Sequence, residues 1–406
     1  MTDASASGPS HALSIRNVRL AIAFRATSRS VLFAPYLYHF VTATRGLSTL
    51  EFGLLQSLYY FTAVSLEVPS GVVADRFGRK HTMVLGALLA VVGSLLRIIA
   101  FDFWLFAVAE VCFAAALALV SGADSAILYD SLDADGRAAE YPRCEGLVQS
   151  SWLALTAVGM PLTDWFLVRG DDPTLAFAAT ACLSLVAAGC ALAMVEPPAH
   201  RRLGMREITA GALRDVVQIP GILRLLAYSA GVFILLRAAI ILFFNPTLAA
   251  KGVPVSFYGT ALAIVNVAGA LVAWRSHRIM NRWGEKLFLF LMPASMVAMY
   301  LLIIPANAPV AIALFCVQGS VLGAYPMAVR TMLNRLVPSA EKRATTLSVE
   351  SLACRLCYGI VVIFCAWTLD ELPLSLALPS VALVGCVPFV LMWFLPRAMP
   401  LKGGEV

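Results

Sequence analysis

Apolar residues fill this chain in long unbroken runs, and polar residues are confined to short breaks between them. Runs of roughly 20 apolar residues match the length at which a helix crosses a hydrocarbon layer. The runs are continuous and do not alternate, so they do not read as barrel strands. In lipid each segment must satisfy its own backbone hydrogen bonds, which leaves helix. Twelve spans follow from the pattern: 18–42, 51–73, 82–101, 103–128, 146–168, 174–195, 221–247, 256–274, 287–306, 309–331, 344–369 and 375–395. The expected fold class is an all-α membrane protein of 12 transmembrane helices.

Composition agrees. The chain is 60% hydrophobic and 13% charged, against about 45–50% and about 25% in soluble chains. An even number of spans puts both ends on one side. Loops on that side hold 22 of the 30 lysines and arginines, and the opposite loops hold Arg45, Arg97, Arg169 and Lys251. Excess Lys and Arg in short loops marks the cytoplasm. The expected location is therefore a bacterial-style inner cell membrane, multi-pass, with cytoplasmic tails at 1–17 and 397–406. The N-terminal stretch lacks a short apolar core with a cleavage site, so it reads as a tail, not a signal peptide. The net charge of +6 is then a topology signal, and no nucleic-acid partner is expected. The nine cysteines sit mostly inside apolar runs and imply no disulfide framework. Cys354 and Cys357 form a C-x-x-C within a span, with no second pair to complete a metal site.

The longest internal hydrophilic stretch, 196–220, divides the chain into an N-terminal bundle (18–195) and a C-terminal bundle (221–396). The halves repeat. "FGLLQSLYYFTAVSLEVPSGVVADRFGRK" (52–80) aligns without a gap on "YGTALAIVNVAGALVAWRSHRIMNRWGEK" (258–286), an offset of 206. Gly53 meets Gly259, Arg76 meets Arg282, Gly78 meets Gly284 and Lys80 meets Lys286. The match falls after the second span and again after the eighth, as duplicated six-helix bundles with pseudo-symmetry require.

One break is denser in charge than topology needs. "GVVADRFGRK" (71–80) carries one acid and three bases. Gly71 permits close helix approach and Gly78 a tight turn. Asp75 suits a helix N-terminus, and Arg79 and Lys80 can pair with acids at neighbouring helix ends. The pattern Gly71-x-x-x-Asp75-Arg76-x-Gly78-Arg79-Lys80, with twelve spans and a degenerate second copy, resembles the loop 2–3 signature of the major facilitator superfamily. The resemblance implies that family's fold and a cytoplasmic gate built from Gly71, Asp75, Arg76, Gly78 and Arg79. In it Asp75 would lie near the start of span eleven, around Ala344, and Arg79 near an acid ending span four. Asp130 is such an acid, and Glu350 is a further candidate for the gate. The second copy departs from the pattern at His277, Asn281 and Glu285, which predicts a weaker latch there. The family's glycine-rich exporter mark is incomplete in span five, where "LTAVGMPLTDWF" keeps Gly159 and Pro161 only.

Charges inside spans cost about 2.5–3.5 kcal/mol each on insertion scales, so each needs a partner or a wet cavity. Arg25 and Arg29 share a face of span one at i,i+4, and Tyr36 continues it at i+11. Arg237 lies in span seven and Arg355 in span eleven. Guanidinium keeps its charge and grips carboxylate or phosphate with two hydrogen bonds. Arg29, Arg237 and Arg355, with Tyr36, Gln318 and Tyr325 as polar or aromatic neighbours, are the candidate substrate-binding residues. Structural pairing with Glu67, Glu110, Asp124, Asp164 or Glu350 is the alternative for each arginine. Asp124, Glu67 and Glu110 are the candidate proton-coupling acids, because burial and nearby arginines push a carboxyl in opposite directions. Glu67 is also a candidate partner for Arg25. Glu110, Leu117, Ser121 and Asp124 fall on one stripe if span four is a continuous helix. Asp164 reads as an interfacial charge near the outer end of span five.

No G-x-x-x-x-G-K-[ST] loop and no H-E-x-x-H motif appears, so neither ATP drive nor metalloenzyme chemistry is expected, and no cofactor. The expected function is a secondary transporter, not an enzyme: a small organic solute, anionic or amphipathic, moved by alternating access with the proton as coupling ion. Export is slightly favoured. Uptake of an organic anion or metal-chelate, and a non-transporting receptor or lipid-handling protein on the same bundle, are the alternatives. The expected partners are the solute, the proton and the lipid bilayer, with the chain acting as a monomer.

Overall fold

The computed structural model describes residues 9–197, 216–337 and 340–395. Those residues are overwhelmingly helical, and every predicted span falls on a helix or on a broken run of helical pieces. Among the described residues, eight helical stretches are long and apolar enough to cross a membrane.

The helices are α1 (Pro9–Arg29), α2 (Thr49–Phe77), α3 (Arg79–Ile99), α4 (Phe103–Val120), α5 (Ala123–Asp133), α6 (Tyr141–Phe166), α7 (Thr174–Ala193), α8 (Ile222–Ala238), α9 (Phe244–Ala250), α10 (Tyr258–Trp283), α11 (Glu285–Leu302), α12 (Ala308–Leu336), α13 (Ala340–Glu371) and α14 (Leu374–Phe394).

Three spans are broken, each for a local reason. Span one starts earlier than its hydropathy, at Pro9, and α1 stops at Arg29. Pro35 cannot continue it, having no N–H and a ring that would crowd the carbonyl of Val31. The freed Leu32 N–H donates to Thr180 Oγ1 at 3.1 Å. A 3-10 turn (Ala34–Tyr36), a short α turn and a π turn (Phe40–Thr44) complete the span. Span four breaks at Gly122, whose φ of +86 no right-handed helix allows. The expected Glu110–Asp124 stripe is therefore divided: Glu110 lies on α4, and Asp124 opens α5 in its first turn. In span seven Pro246 has no N–H for the carbonyl of Leu242, and a π turn at Ala239–Phe243 joins α8 to α9.

The duplication is visible in the backbone. Gly78 (φ 88, ψ 150) ends α2 and starts α3, and Gly284 (φ 80, ψ 150) does the same between α10 and α11. Gly46 and Gly252, also 206 residues apart, share positive φ of 78 and 72.

Packing divides the chain into two compact units. One combines the chain up to Phe40 with that from Thr62 through the sixth span; the other combines Val41–Phe61 with the later spans. The units follow the sequence halves except over Val41–Phe61. There Asp370 accepts the Thr49 and Leu50 N–H groups at 3.0 and 2.6 Å. Gly53 is pressed on α13, where a Cβ would lie 2.3 Å from that of Ala366. Tyr60 meets Tyr358 and Phe233 edge-on.

The first unit's core is built on Phe24, Met83, Ile127, Leu132, Val148 and Met194. Asn17 ties its ends together, donating to Ser131 Oγ and the Val195 carbonyl and accepting from the Val195 N–H. A cluster in the second unit gathers Ile222, Leu225, Val329, Leu333 and Val349. In that unit Gly269, Gly319 and Gly323 bring α10 and α12 to backbone contact, since a Cβ on Gly323 would sit 2.1 Å from the Gly269 carbonyl oxygen. Trp104, Trp165, Trp274 and Trp393 are left exposed, as apolar surface facing lipid can be.

Candidate functional site

In the first unit the buried Arg25 is the centre of a polar cluster. Its Nη1 reaches Glu145 at 2.8 Å and Gln149 at 3.1 Å, and its Nη2 reaches Asp124 at 2.9 Å and Ser125 at 3.0 Å. Arg25 thus pairs with Asp124 and Glu145, and the expected Glu67 pairing gives way to these. Glu67 is half-buried on α2. Glu145 escaped the sequence reading because it sits in the amphipathic entry to span five, one residue before the apolar run. Arg29, one turn beyond Arg25, is held less tightly: 3.8 Å from Asp124 and 30% exposed. Two guanidinium groups therefore face two carboxylates, and of the four ions Arg29 and Glu145 (26% exposed) keep open surface.

Glu110 is placed elsewhere. It forms an enclosed pair with Arg97 at 2.9 Å, and the Arg97 guanidinium also lies 4.8 and 4.6 Å from the Phe33 and Phe113 rings. The assignment of Arg97 to an outer loop is corrected: it is buried inside α3, and pairing with Glu110, not water, accommodates it. Tyr36 is fully buried and donates to Asp164 at 2.5 Å. Asp164, read as interfacial, is buried with it.

At the loop between α2 and α3 Arg79 pairs with Asp130. Glu196 accepts the Arg79 and Lys80 backbone N–H groups, each at 2.8 Å, and so caps the start of α3. Nothing in the local sequence pattern marks Glu196, because its partners are backbone groups over a hundred residues away. Asp75 and Arg76 are exposed at the end of α2, with Arg76 lying over Phe77 at 5.6 Å, and Gly71 is half-buried.

In the second unit Arg237 lies near the end of α8, just before the π turn. Among the described residues it has no carboxylate partner, and its guanidinium sits 5.2 Å from the Phe233 ring centre. Arg355 is half-buried on α13. Gln318 is buried and donates to the Leu236 carbonyl at 3.4 Å, one residue before Arg237. Tyr325 donates to Glu350 at 2.5 Å, and Cys354 lies 3.5 Å from the same carboxylate oxygen. This joins one candidate substrate residue to one candidate gate residue. Among the described residues no group of His, Cys, Asp and Glu could hold a metal ion.

A family model of the Major Facilitator Superfamily matches residues 19–362. The chain belongs to this superfamily. Solved superfamily structures share the fold across the whole length. The nucleoside transporter NupG superposes with a TM-score of 0.76 at 13% identity, covering 94% of this chain and 98% of that one. A D-xylose–proton symporter gives 0.71 at 12%, covering 98% and 99%. A bacterial homolog of the human lysosomal transporter Spinster gives 0.68 at 16%, covering 95% and 96%. No curated protein matches by sequence. Membership of the superfamily makes this a multi-pass membrane protein with the fold of a secondary transporter, not an enzyme.

Proposed function

We propose that the protein moves a small organic solute, anionic or amphipathic, across the membrane by alternating access, coupled to protons, with export slightly favoured. The observation that carries the anionic substrate is Arg237. A guanidinium inside a membrane span without a carboxylate is costly, and a bound anion would relieve that cost. Arg29 supports the same reading, because its hold on Asp124 is long and part of its surface is open. Arg355, Tyr36, Gln318 and Tyr325 complete the substrate-binding proposal, with Tyr36 and Gln318 acting from within the packing, since both are buried. The proton-coupling proposal keeps Asp124, with Glu67 and Glu110 as the other acids. Asp124 and Glu145 share Arg25, so taking up one proton would leave the cluster with excess positive charge beside Arg29. That couples proton uptake to anion binding. One structural neighbour is itself a proton symporter.

For the cytoplasmic gate we propose Gly71, Asp75, Arg76, Gly78, Arg79, Asp130 and Glu350. The Arg79–Asp130 pair and the Glu196 cap support it by fixing the loop's geometry. The test is a thermal-shift screen of the purified protein against organic anions, cations and neutral solutes, because a ligand stabilises the state it binds. Stabilisation by anions that disappears in Arg237→Ala is expected; stabilisation by cations alone would overturn the reading. Counterflow in proteoliposomes separates a transporter from a non-transporting receptor, which would give no flux.

A further inference from the structure

The buried acids with arginine partners, Asp124 and Glu110, differ from Glu350 on α13. Glu350 is 7% exposed, and among the described residues no lysine or arginine forms an ion pair with it. Its partners are a phenol and a thiol: Tyr325 from α12 at 2.5 Å and Cys354 from its own helix at 3.5 Å. Cys357, the next titratable group on α13, is exposed. Arg355, five residues on, projects about 140° away around the helix. From α8 comes Ser229, whose hydroxyl approaches Tyr325. It is fully buried and meets hydrogen-bond geometry with nothing. An ionised carboxylate enclosed without a cation is strongly disfavoured, whereas a protonated one needs only a hydrogen-bond acceptor.

We propose that Glu350 is a proton-binding site, with Tyr325 and Ser229 as the relay that accommodates the proton. This rests on the proton-coupled reading above and gives it a site in the second unit. In the ionised state the Tyr325 O–H donates to Glu350 Oε1. When one proton adds to the carboxylate, the new Glu350 O–H donates to the Tyr325 oxygen. The Tyr325 O–H then turns to Ser229 Oγ, the acceptor that is now without a partner. One proton enters, no other group changes charge, and the hydrogen-bond chain reverses direction. The reversed chain adds a tie from α12 to α8, the helix that carries Arg237. Protonation also removes a negative charge from the unit that holds Arg237, which favours an anion there.

The test is a pH titration of the full-length protein followed by infrared difference spectroscopy of the carboxyl C=O stretch. It uses wild type, Glu350→Gln, Tyr325→Phe and Ser229→Ala. Wild type should show a protonated-carboxyl band that bleaches as pH rises, and Glu350→Gln should lack it. Tyr325→Phe should shift the midpoint upward, because the ionised form loses its charge-assisted donor. Ser229→Ala should shift it downward, because the protonated form loses its acceptor. The opposite signs distinguish a relay from a general loosening of the fold. A band and titration unchanged in Glu350→Gln, or a Glu350 that stays ionised across the range, overturns the site and leaves proton coupling through other acids standing. The predicted band in a protein whose transport ignores a pH gradient overturns the coupled reading and leaves the site.

Discussion

Arg97 and Glu110 form an ion pair sealed inside the first unit, with Nη2 and Oε1 2.9 Å apart and both side chains at most 3% exposed. Removing one partner strands the other charge away from water. Arg97→Ala or Glu110→Ala should each lower stability by about 3–5 kcal/mol, while Arg97→Met combined with Glu110→Leu should recover most of the loss. Unfolding midpoints of the three variants in one detergent check this. A double variant that keeps proton-coupled transport would assign Glu110 to structure and remove it from the coupling acids.

Arg25 and Arg29 are neighbours on one helix face with different predicted roles. Arg25 spends its donors on Asp124, Glu145, Gln149 and Ser125, so Arg25→Ala should chiefly destabilise the fold. Arg29→Ala and Arg237→Ala should instead weaken binding of an organic anion, each by about 1.5–3 kcal/mol, the scale of a charged hydrogen bond. That corresponds to ~10- to 150-fold in Kd. Calorimetric titration of the three variants measures it, and equal losses across all three would remove the anion-site argument.

The fold was legible because its signals are long or repeated. Apolar runs give the spans, and the 206-residue offset gives the duplication that Gly78 and Gly284 express in nearly identical backbone angles. Arg79 and Asp130 could be matched because both stand at span ends beside a patterned loop. Arg97 was hidden by position: a basic residue four from the end of an apolar run reads as a loop anchor unless its partner thirteen residues later is known. The break at Gly122 was hidden as well, since a glycine in a small-residue stretch fits a close-packed helix as well as a kink. Glu145, Glu196 and Asp370 act through partners far along the chain, two of them through backbone N–H groups. Hydropathy and charge patterns carry no trace of such contacts.

Gly78 and Gly284 hold φ of 88 and 80 with ψ near 150, a region that side chains enter at a cost of about 1–3 kcal/mol. Gly78→Ala and Gly284→Ala should both destabilise by that order. At Gly78 a Cβ would meet the Glu196 carboxylate at 3.4 Å, an ordinary contact, and nothing stands within 4 Å of a Cβ at Gly284, so the two losses should be alike. Thermal unfolding of the pair compares them, and a loss at one position only would contradict a shared backbone strain.

Asp75 stays exposed at the end of α2, so its carboxylate contributes little to packing. Asp75→Asn should therefore leave stability and substrate affinity close to wild type. If the loop is a gate whose equilibrium this charge biases, turnover should fall several-fold. Counterflow rates beside binding isotherms give the comparison, and wild-type turnover in Asp75→Asn would defeat the gate.

Asp370 closes α13 and caps α2 at once, taking the Thr49 N–H on Oδ1 and the Leu50 N–H on Oδ2. These two donors open a helix and have no intrahelical acceptor, so the carboxylate satisfies both and its charge suits the positive helix end. Asp370→Ala removes both acceptors and should cost about 0.5–2 kcal/mol. Asp370→Asn keeps one oxygen acceptor, loses the charge and should cost less. Hydrogen exchange at Thr49 and Leu50 gives the local readout: protection should fall most in Asp370→Ala and partly in Asp370→Asn, with residues of α7 unaffected. Equal protection in all three proteins would show that the N-terminus of α2 holds its place among Gly53, Ala366 and Tyr60 by packing alone.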